Sequence, residues 1–302
     1  MKNKGVFYSL LVMLLWGSLF PMVKKGYSVF GASTSGDFLT FAGVRFVVCG
    51  IIICAYVLIK NKDSFKPLKS NIFMVLISGT FAIILHYACT YIALSMEGGS
   101  KTAILKQLGA VLYICFAPLF FKDDKFTFKK GLGLLLGIGG IFAINSGGGE
   151  FTFKVGDLLI IGASFCTVFA NITAKKVFEK VEPIVSTGIS QIFGGLVLAI
   201  IGTFFGGNPT MFLPKKCEQI LVLGAIVTAS IFSYCIWYTV VKKENLSKLF
   251  IIKFSEPLFA AVFSWIILGE EIFKIKYLIA FVLISLGVVV ANLKSKKVKE
   301  KF

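Results

Sequence analysis

The feature that most constrains this chain is a succession of long apolar runs separated by linkers of only a few residues. A helix needs ~20 apolar residues to cross a hydrocarbon core ~30 Å thick. The runs that meet this length predict spans at Val6–Val23, Phe38–Ile59, Ile72–Leu94, Thr102–Phe121 and Gly131–Ser146. A second set follows at Val155–Ala174, Ile184–Phe205, Ile220–Val241, Leu246–Leu268 and Ile275–Leu293. Of the 302 residues 57% are apolar, above the roughly 45–50% of soluble domains, so lipid has to be the solvent. The linkers leave no room for an extramembrane domain. The basic start of the chain resembles a signal peptide, but its apolar stretch is too long and lacks a small-x-small cleavage site, which predicts a retained first helix.

The formal net charge is +17. In a soluble protein that would suggest nucleic acid; here the lysines sit in short loops, where they set topology and attract anionic headgroups. The segments on the side of the two termini carry twenty Lys/Arg and the opposite loops eight, so both termini are expected in the cytoplasm of a multi-pass protein of the cytoplasmic membrane. The seven cysteines are scattered, with no CxxC; they are expected to be packing residues, with no metal, disulfide framework or cofactor.

Sliding the chain against itself by 147 positions superposes polar residues that hydropathy alone would not place. Tyr87 falls on Tyr234, Tyr91 on Tyr238, Ser100-Lys101 on Ser247-Lys248 and Lys106 on Lys253. Asp123-Asp124 fall on Glu270-Glu271, Gly140 on Gly287 and Asn145 on Asn292. With small shifts Lys24-Lys25 also meet Lys175-Lys176, and Arg45 meets Gln191. Five helices are an odd number, so the second copy must enter the membrane from the opposite side. The expected fold is therefore an all-α integral membrane protein of ten helices in two inverted five-helix repeats, residues 1–147 and 148–302. Inverted repeats are characteristic of secondary transporters, with the substrate held near midplane between the halves.

A charge inside the bilayer costs about 2.5–3.5 kcal/mol on the insertion scale, so each needs an account. Arg45, Lys106 and Lys253 are candidate contacts for an anionic group, set against one acid well inside a span, Glu256. Glu256 follows Lys253 by three residues, a spacing that puts both on one helical face. Snorkelling to the interface explains Lys101 and Lys248; Lys106 and Lys253 lie ~7–10 Å deep at 1.5 Å per residue, near the limit of that reach, so snorkelling and a water-filled cavity are alternatives for them. Trp16, Tyr87 and Tyr234 are candidate walls of the cavity, and Gln107, Asn171 and Gln191 are polar candidates for which interhelical hydrogen bonding is the alternative. Glu256 and His86, the sole histidine, are coupling candidates, with packing the plainer role for His86. Pro21, Pro118 and Pro257 each remove a backbone donor and are expected to interrupt their helices, Pro257 near the site.

The run WGSLFPMVKKG from Trp16 to Gly26, Arg45-Phe46 in the second span, and the stretch from Ser255 to Asn292 with its Glu-Pro and Leu-Gly-Glu together resemble the EamA-type family of the drug/metabolite transporter superfamily. The resemblance covers essentially the whole chain. It implies a ten-helix carrier with a cavity lined by helices 1–4 and 6–9, and helices 5 and 10 at the periphery or a homodimer surface. Members move amino acids, other metabolites and drugs, frequently outward. The first repeat has Gln107-Leu108-Gly109 where the second has Ser255-Glu256-Pro257, and the paired Lys106 and Lys253 stand outside the general pattern.

The expected function is movement of an amino acid or organic anion by alternating access. The alternatives are exchange of phosphorylated or nucleotide-linked metabolites and multidrug export. A lipid enzyme would need clustered acids, and the pairs Asp123-Asp124 and Glu270-Glu271 fall on opposite sides of the membrane. A channel would need a ring of charges or a filter motif.

Overall fold

The computed structural model describes residues 3–96, 108–122, 125–145, 155–269 and 275–293, and among these every regular element is helical. The helices are α1 (Asn3–Phe30), α2 (Ser35–Asn61), α3 (Leu68–Gly79), α4 (His86–Met96), α5 (Leu108–Phe120) and α6 (Phe128–Asn145). They continue as α7 (Val155–Val177), α8 (Pro183–Phe204), α9 (Cys217–Lys243), α10 (Leu246–Lys253), α11 (Glu256–Leu268) and α12 (Ile275–Asn292). A π-helical segment, Thr80–Leu85, joins α3 to α4 in one rod. Seven stretches in the described residues are long and apolar enough to cross a membrane: Lys4–Phe30, Ser35–Phe65, Leu68–Thr90, Val155–Val177, Pro183–Phe204, Cys217–Lys243 and Leu246–Leu268. The chain is a multi-pass membrane protein.

Several helices outrun the apolar stretches that predicted them. The first continues two turns beyond Val23, through Lys24-Lys25 to Phe30, because a helix does not have to end where the hydrocarbon does. Pro21 lies inside α1 and Pro118 inside α5 without ending either, which corrects the expected interruptions; one missing donor leaves the rest of the ladder intact. Pro257 does mark a break. It has no N–H to give the carbonyl of Lys253, and between α10 and α11 the bonding tightens to Phe254 N to Ile251 O, 3.2 Å, and Ser255 N to Ile252 O, 2.9 Å. The break separates Lys253, the last residue of α10, from Glu256, the first of α11. The two therefore do not share one continuous helical face, a correction to the spacing argument. Gly269 closes α11 at φ 70°, the left-handed cap that glycine adopts without strain.

The central packing is an antiparallel seam between α2 and α8. Glycines recur every seven residues on both, at Gly36, Gly43 and Gly50 and at Gly188, Gly195 and Gly202. A Cβ on Gly43 would stand 2.5 Å from the Ala199 nitrogen and 2.7 Å from the Gly195 oxygen, and one on Gly50 2.6 Å from the Gly188 oxygen. Backbone therefore meets backbone, the close approach that small residues allow in membranes. At its start α2 is fixed by a capping box in which Asp37 N donates to Thr34 Oγ1 at 3.1 Å and Thr34 N to Asp37 Oδ2 at 3.0 Å.

Around this seam the contacts exchange between halves. α1 packs on α9 and α11, while α7 packs on α3, α4 and α5; α5 meets α10, and α6 meets α12 away from the centre. Lys25 Nζ pairs with Glu218 Oε1 at 3.3 Å at one end of α9, and Lys175 Nζ donates to the Glu244 carbonyl at 3.2 Å at the other. Two short 3-10 turns link α2 to α3 and α8 to α9, at Lys62–Phe65 and Pro209–Phe212. They stand 147 residues apart, and each is preceded by an asparagine that caps it: Asn61 Oδ1 accepts from Asp63 N and Asn208 Oδ1 from Thr210 N.

Candidate functional site

The residues that bear charge or aromatic rings in the middle of the bundle converge on one row. Arg45 is 3% exposed on α2, with its guanidinium 4.3 Å from the Phe46 ring centroid and 5.6 Å from that of Tyr87. Phe46 stands edge-on to Tyr87 at 4.9 Å and to Tyr234 at 5.8 Å. The hydroxyls of Tyr87 and Tyr234, 147 residues apart, are hydrogen-bonded at 2.9 Å. Tyr234 meets Trp16 edge-on at 5.8 Å, and Trp16 lies 5.1 Å from Trp237. At the far end Lys253 Nζ is 5.4 Å from the Trp16 ring and 5.5 Å from the Phe250 ring.

The row thus runs from one cation to another through aromatic rings, with a tyrosine pair at its centre. Each cation lies over two aromatic rings, an arrangement worth about 0.5–2 kcal/mol per contact according to how far water is excluded. Trp16, Tyr87 and Lys253 are only partly buried, whereas Tyr234 and Trp237 are buried. The chemistry available is therefore electrostatic and apolar binding: fixed positive charge for an anionic group, π faces for a hydrocarbon body, and hydroxyls for a polar substituent.

The other predicted residues separate into two groups. Asn171 accepts from Trp237 Nε1 at 3.0 Å and donates to the Thr167 carbonyl at 2.8 Å, which ties α7 to α9 just behind the row. His86 Nδ1 lies 3.2 Å from the Ala163 carbonyl and 3.0 Å from Thr167 Oγ1, tying α4 to α7. Gln191 is buried on α8 beside the glycine seam, and Glu256 is buried in the first turn of α11, where the helix dipole favours a carboxylate. Lys106 and Gln107 lie outside the described residues, as do Lys101, Asp123-Asp124 and Glu270-Glu271.

Three aromatics that belong to this region were not singled out from the sequence. Trp237 and Phe250 pack at 6.1 Å, and Phe250 stacks on Tyr113 at 4.0 Å with an interplanar angle of 3°. In a chain with 15% aromatic residues such side chains look like lipid-facing bulk. The signal that could have found Trp237 is its spacing, three after Tyr234, on the same face of α9.

Comparisons with known proteins agree with this architecture. The EamA-like transporter family matches the chain twice, over residues 3–146 and 154–293. An uncharacterized transporter of Archaeoglobus fulgidus is 24% identical over 276 residues, which cover 90% of this chain and 91% of that protein. The uncharacterized transporter YvbV of Bacillus subtilis is 24% identical, covering 99% and 94%, and the uncharacterized inner membrane transporter YedA of Escherichia coli is 24% identical, covering 94% and 90%. A solved crystal structure superposes with a TM-score of 0.78 at 16% identity, covering 97% of this chain and 98% of that one; at that identity the likeness concerns the fold. With the family matched across both halves, the chain belongs to the EamA-like transporter family and is a membrane transporter.

Proposed function

We propose that this transporter is a secondary carrier for a small organic anion. In this reading it has ten spans in two inverted halves, residues 1–147 and 148–302, with both termini cytoplasmic. One half rocks against the other, opens the central row to each side in turn, and moves its substrate outward. The observation that carries the reading is the Tyr87–Tyr234 hydrogen bond. It joins residues related by the repeat offset at the centre of an aromatic row with a cation at either end. A bond between equivalent residues is expected where a two-fold axis passes between two halves.

Four further observations support the same reading. The family profile matches twice over segments of similar length. The α2–α8 seam is antiparallel, as helices of opposite entry must be. α1 and α7 exchange equivalent partners. The capped 3-10 turns also recur at the offset. Arg45 and Lys253, with Lys106, supply the positive charge that attracts the anion; Trp16, Tyr87 and Tyr234 form the apolar wall. Pro257 loosens the ninth span beside Lys253, and Glu256 next to it is the coupling group. Asn171 and His86 hold α7 in place behind the site.

The test is uptake of radiolabelled organic acids into vesicles reconstituted with the wild type, Lys106→Met or Lys253→Met. Losing one charge-assisted hydrogen bond of about 1.5–3 kcal/mol predicts a rate or affinity lower by roughly 10- to 100-fold. Unchanged affinity and rate in both variants would sink the anion site.

A further inference from the structure

Gln191 is 1% exposed, and neither its amide nitrogen nor its amide oxygen has a hydrogen-bond partner among the described residues. A buried amide left bare costs about 1–3 kcal/mol per group, and hydrocarbon offers no water to relieve it. Leucine or methionine would fill the same volume without that cost. The flanking glycines fix where Gln191 stands on α8. Gly188 faces Cys54 and Gly195 faces Phe46 and Val47, all on α2, while Gly194 faces Ile83 in the π-helical segment. Gln191 therefore lies on the part of α8 between α2 and the third span. π-helical segments of this kind recur at functional sites.

Its relation to Arg45 follows from the antiparallel seam. Gly43 faces Gly195 and Ala199, and Gly50 faces Gly188 and Ile192. Arg45 is thus close to the level of Gly195, and Gln191 is one turn away, about 6 Å at 1.5 Å per residue. With a shift of one residue the internal repeat also sets Arg45 and Gln191 as counterparts. One half offers a guanidinium and the other a neutral amide, about one helical turn apart along the seam.

We infer that Gln191 is a specificity-determining residue, and that the substrate is a short organic acid carrying a neutral carboxamide a few bonds from its carboxylate. Arg45 takes the carboxylate. The Gln191 amide, with a donor and an acceptor side by side, takes a group that presents the matching acceptor and donor. A site built to hydrogen-bond such a group discriminates strongly against an acid that lacks it. The inference rests on the anion reading of the same site.

The experiment measures binding of succinamate and of butyrate to the purified full chain in detergent, for the wild type and Gln191→Leu. The wild type is expected to bind succinamate about tenfold tighter than butyrate, the worth of one well-made buried hydrogen bond. Gln191→Leu is expected to erase that preference while its butyrate affinity stays within about twofold. Equal wild-type affinity for the two acids, or an intact preference in Gln191→Leu, overturns the inference and leaves the anion reading standing. If the wild type binds neither acid, this inference is overturned, while the anion reading is judged by uptake in the Lys106 and Lys253 variants. A ligand-free measurement checks the same point. Removing a bare amide leaves the melting temperature of Gln191→Leu at or above that of the wild type, and a fall of several degrees would mean that the protein itself satisfies the amide.

Discussion

Replacing Gly43 by alanine should destabilise this protein, while replacing Gly162 by alanine should stabilise it. A Cβ on Gly43 would sit 2.5 Å from the Ala199 nitrogen and 2.7 Å from the Gly195 oxygen, both backbone atoms of the facing helix. Ordinary contact begins near ~3.5 Å, so α2 and α8 would have to part by about 1 Å along the seam. Overpacking of this kind costs about 1–3 kcal/mol, and the flanking glycines at Gly36, Gly50, Gly188 and Gly202 would lose contact as the helices separate. Gly162 is the control, since nothing lies within 4 Å of its notional Cβ. There the alanine gains helix propensity and restricts the unfolded chain, worth about 0.4–1 kcal/mol in favour of the fold. The assay is thermal unfolding of the two variants and the wild type in one detergent. The expected result is opposite signs, with Gly43→Ala below the wild type and Gly162→Ala at or above it. Equal melting temperatures for Gly43→Ala and the wild type would refute the backbone-contact seam.

Two further expectations concern the core. Tyr87→Phe should leave the buried Tyr234 hydroxyl without this partner at a cost of about 1–3 kcal/mol, Tyr234→Phe should remove the same bond, and the double variant should cost less than the sum of the two. Strict additivity in a double-mutant cycle of unfolding would show that the 2.9 Å hydrogen bond does not form. Asn171→Leu should leave the Trp237 N–H without its acceptor and lower stability by about 1–3 kcal/mol. Combining it with Trp237→Phe should recover part of the loss, read as the shift in melting temperature; no recovery would mean that the 3.0 Å bond is not what Asn171 contributes.

Helix positions were legible because length and hydropathy are strong signals in lipid, and the predicted spans fall on helices wherever the chain is described. The break after Lys253 was legible from Pro257. The π-helical segment Thr80–Leu85 was not: no proline marks it, and it begins just after Gly79, where the third span packs on Ser190 of α8. The glycine heptads are present in the sequence but not legible there, because apolar and small residues carry little signal in so hydrophobic a chain. The same holds for the linkers. Asn61 and Asn208, Phe65 and Phe212, Pro67 and Pro214, and Lys69 and Lys216 all keep the 147 offset, yet hydropathy directs attention to spans. At the centre, Tyr87 and Tyr234 stood out through that offset. Trp237, Phe250 and Tyr113 did not, because a buried ring and a lipid-facing ring look alike in sequence.

The most direct test of the carrier reading is counterflow. Proteoliposomes containing the purified chain are loaded with a high concentration of an unlabelled organic acid, and entry of the labelled acid is followed over time. A carrier that alternates access predicts saturable entry, a transient overshoot that requires the internal acid, and loss of both in Lys253→Met. Entry that rises linearly with concentration and ignores the internal acid would contradict it.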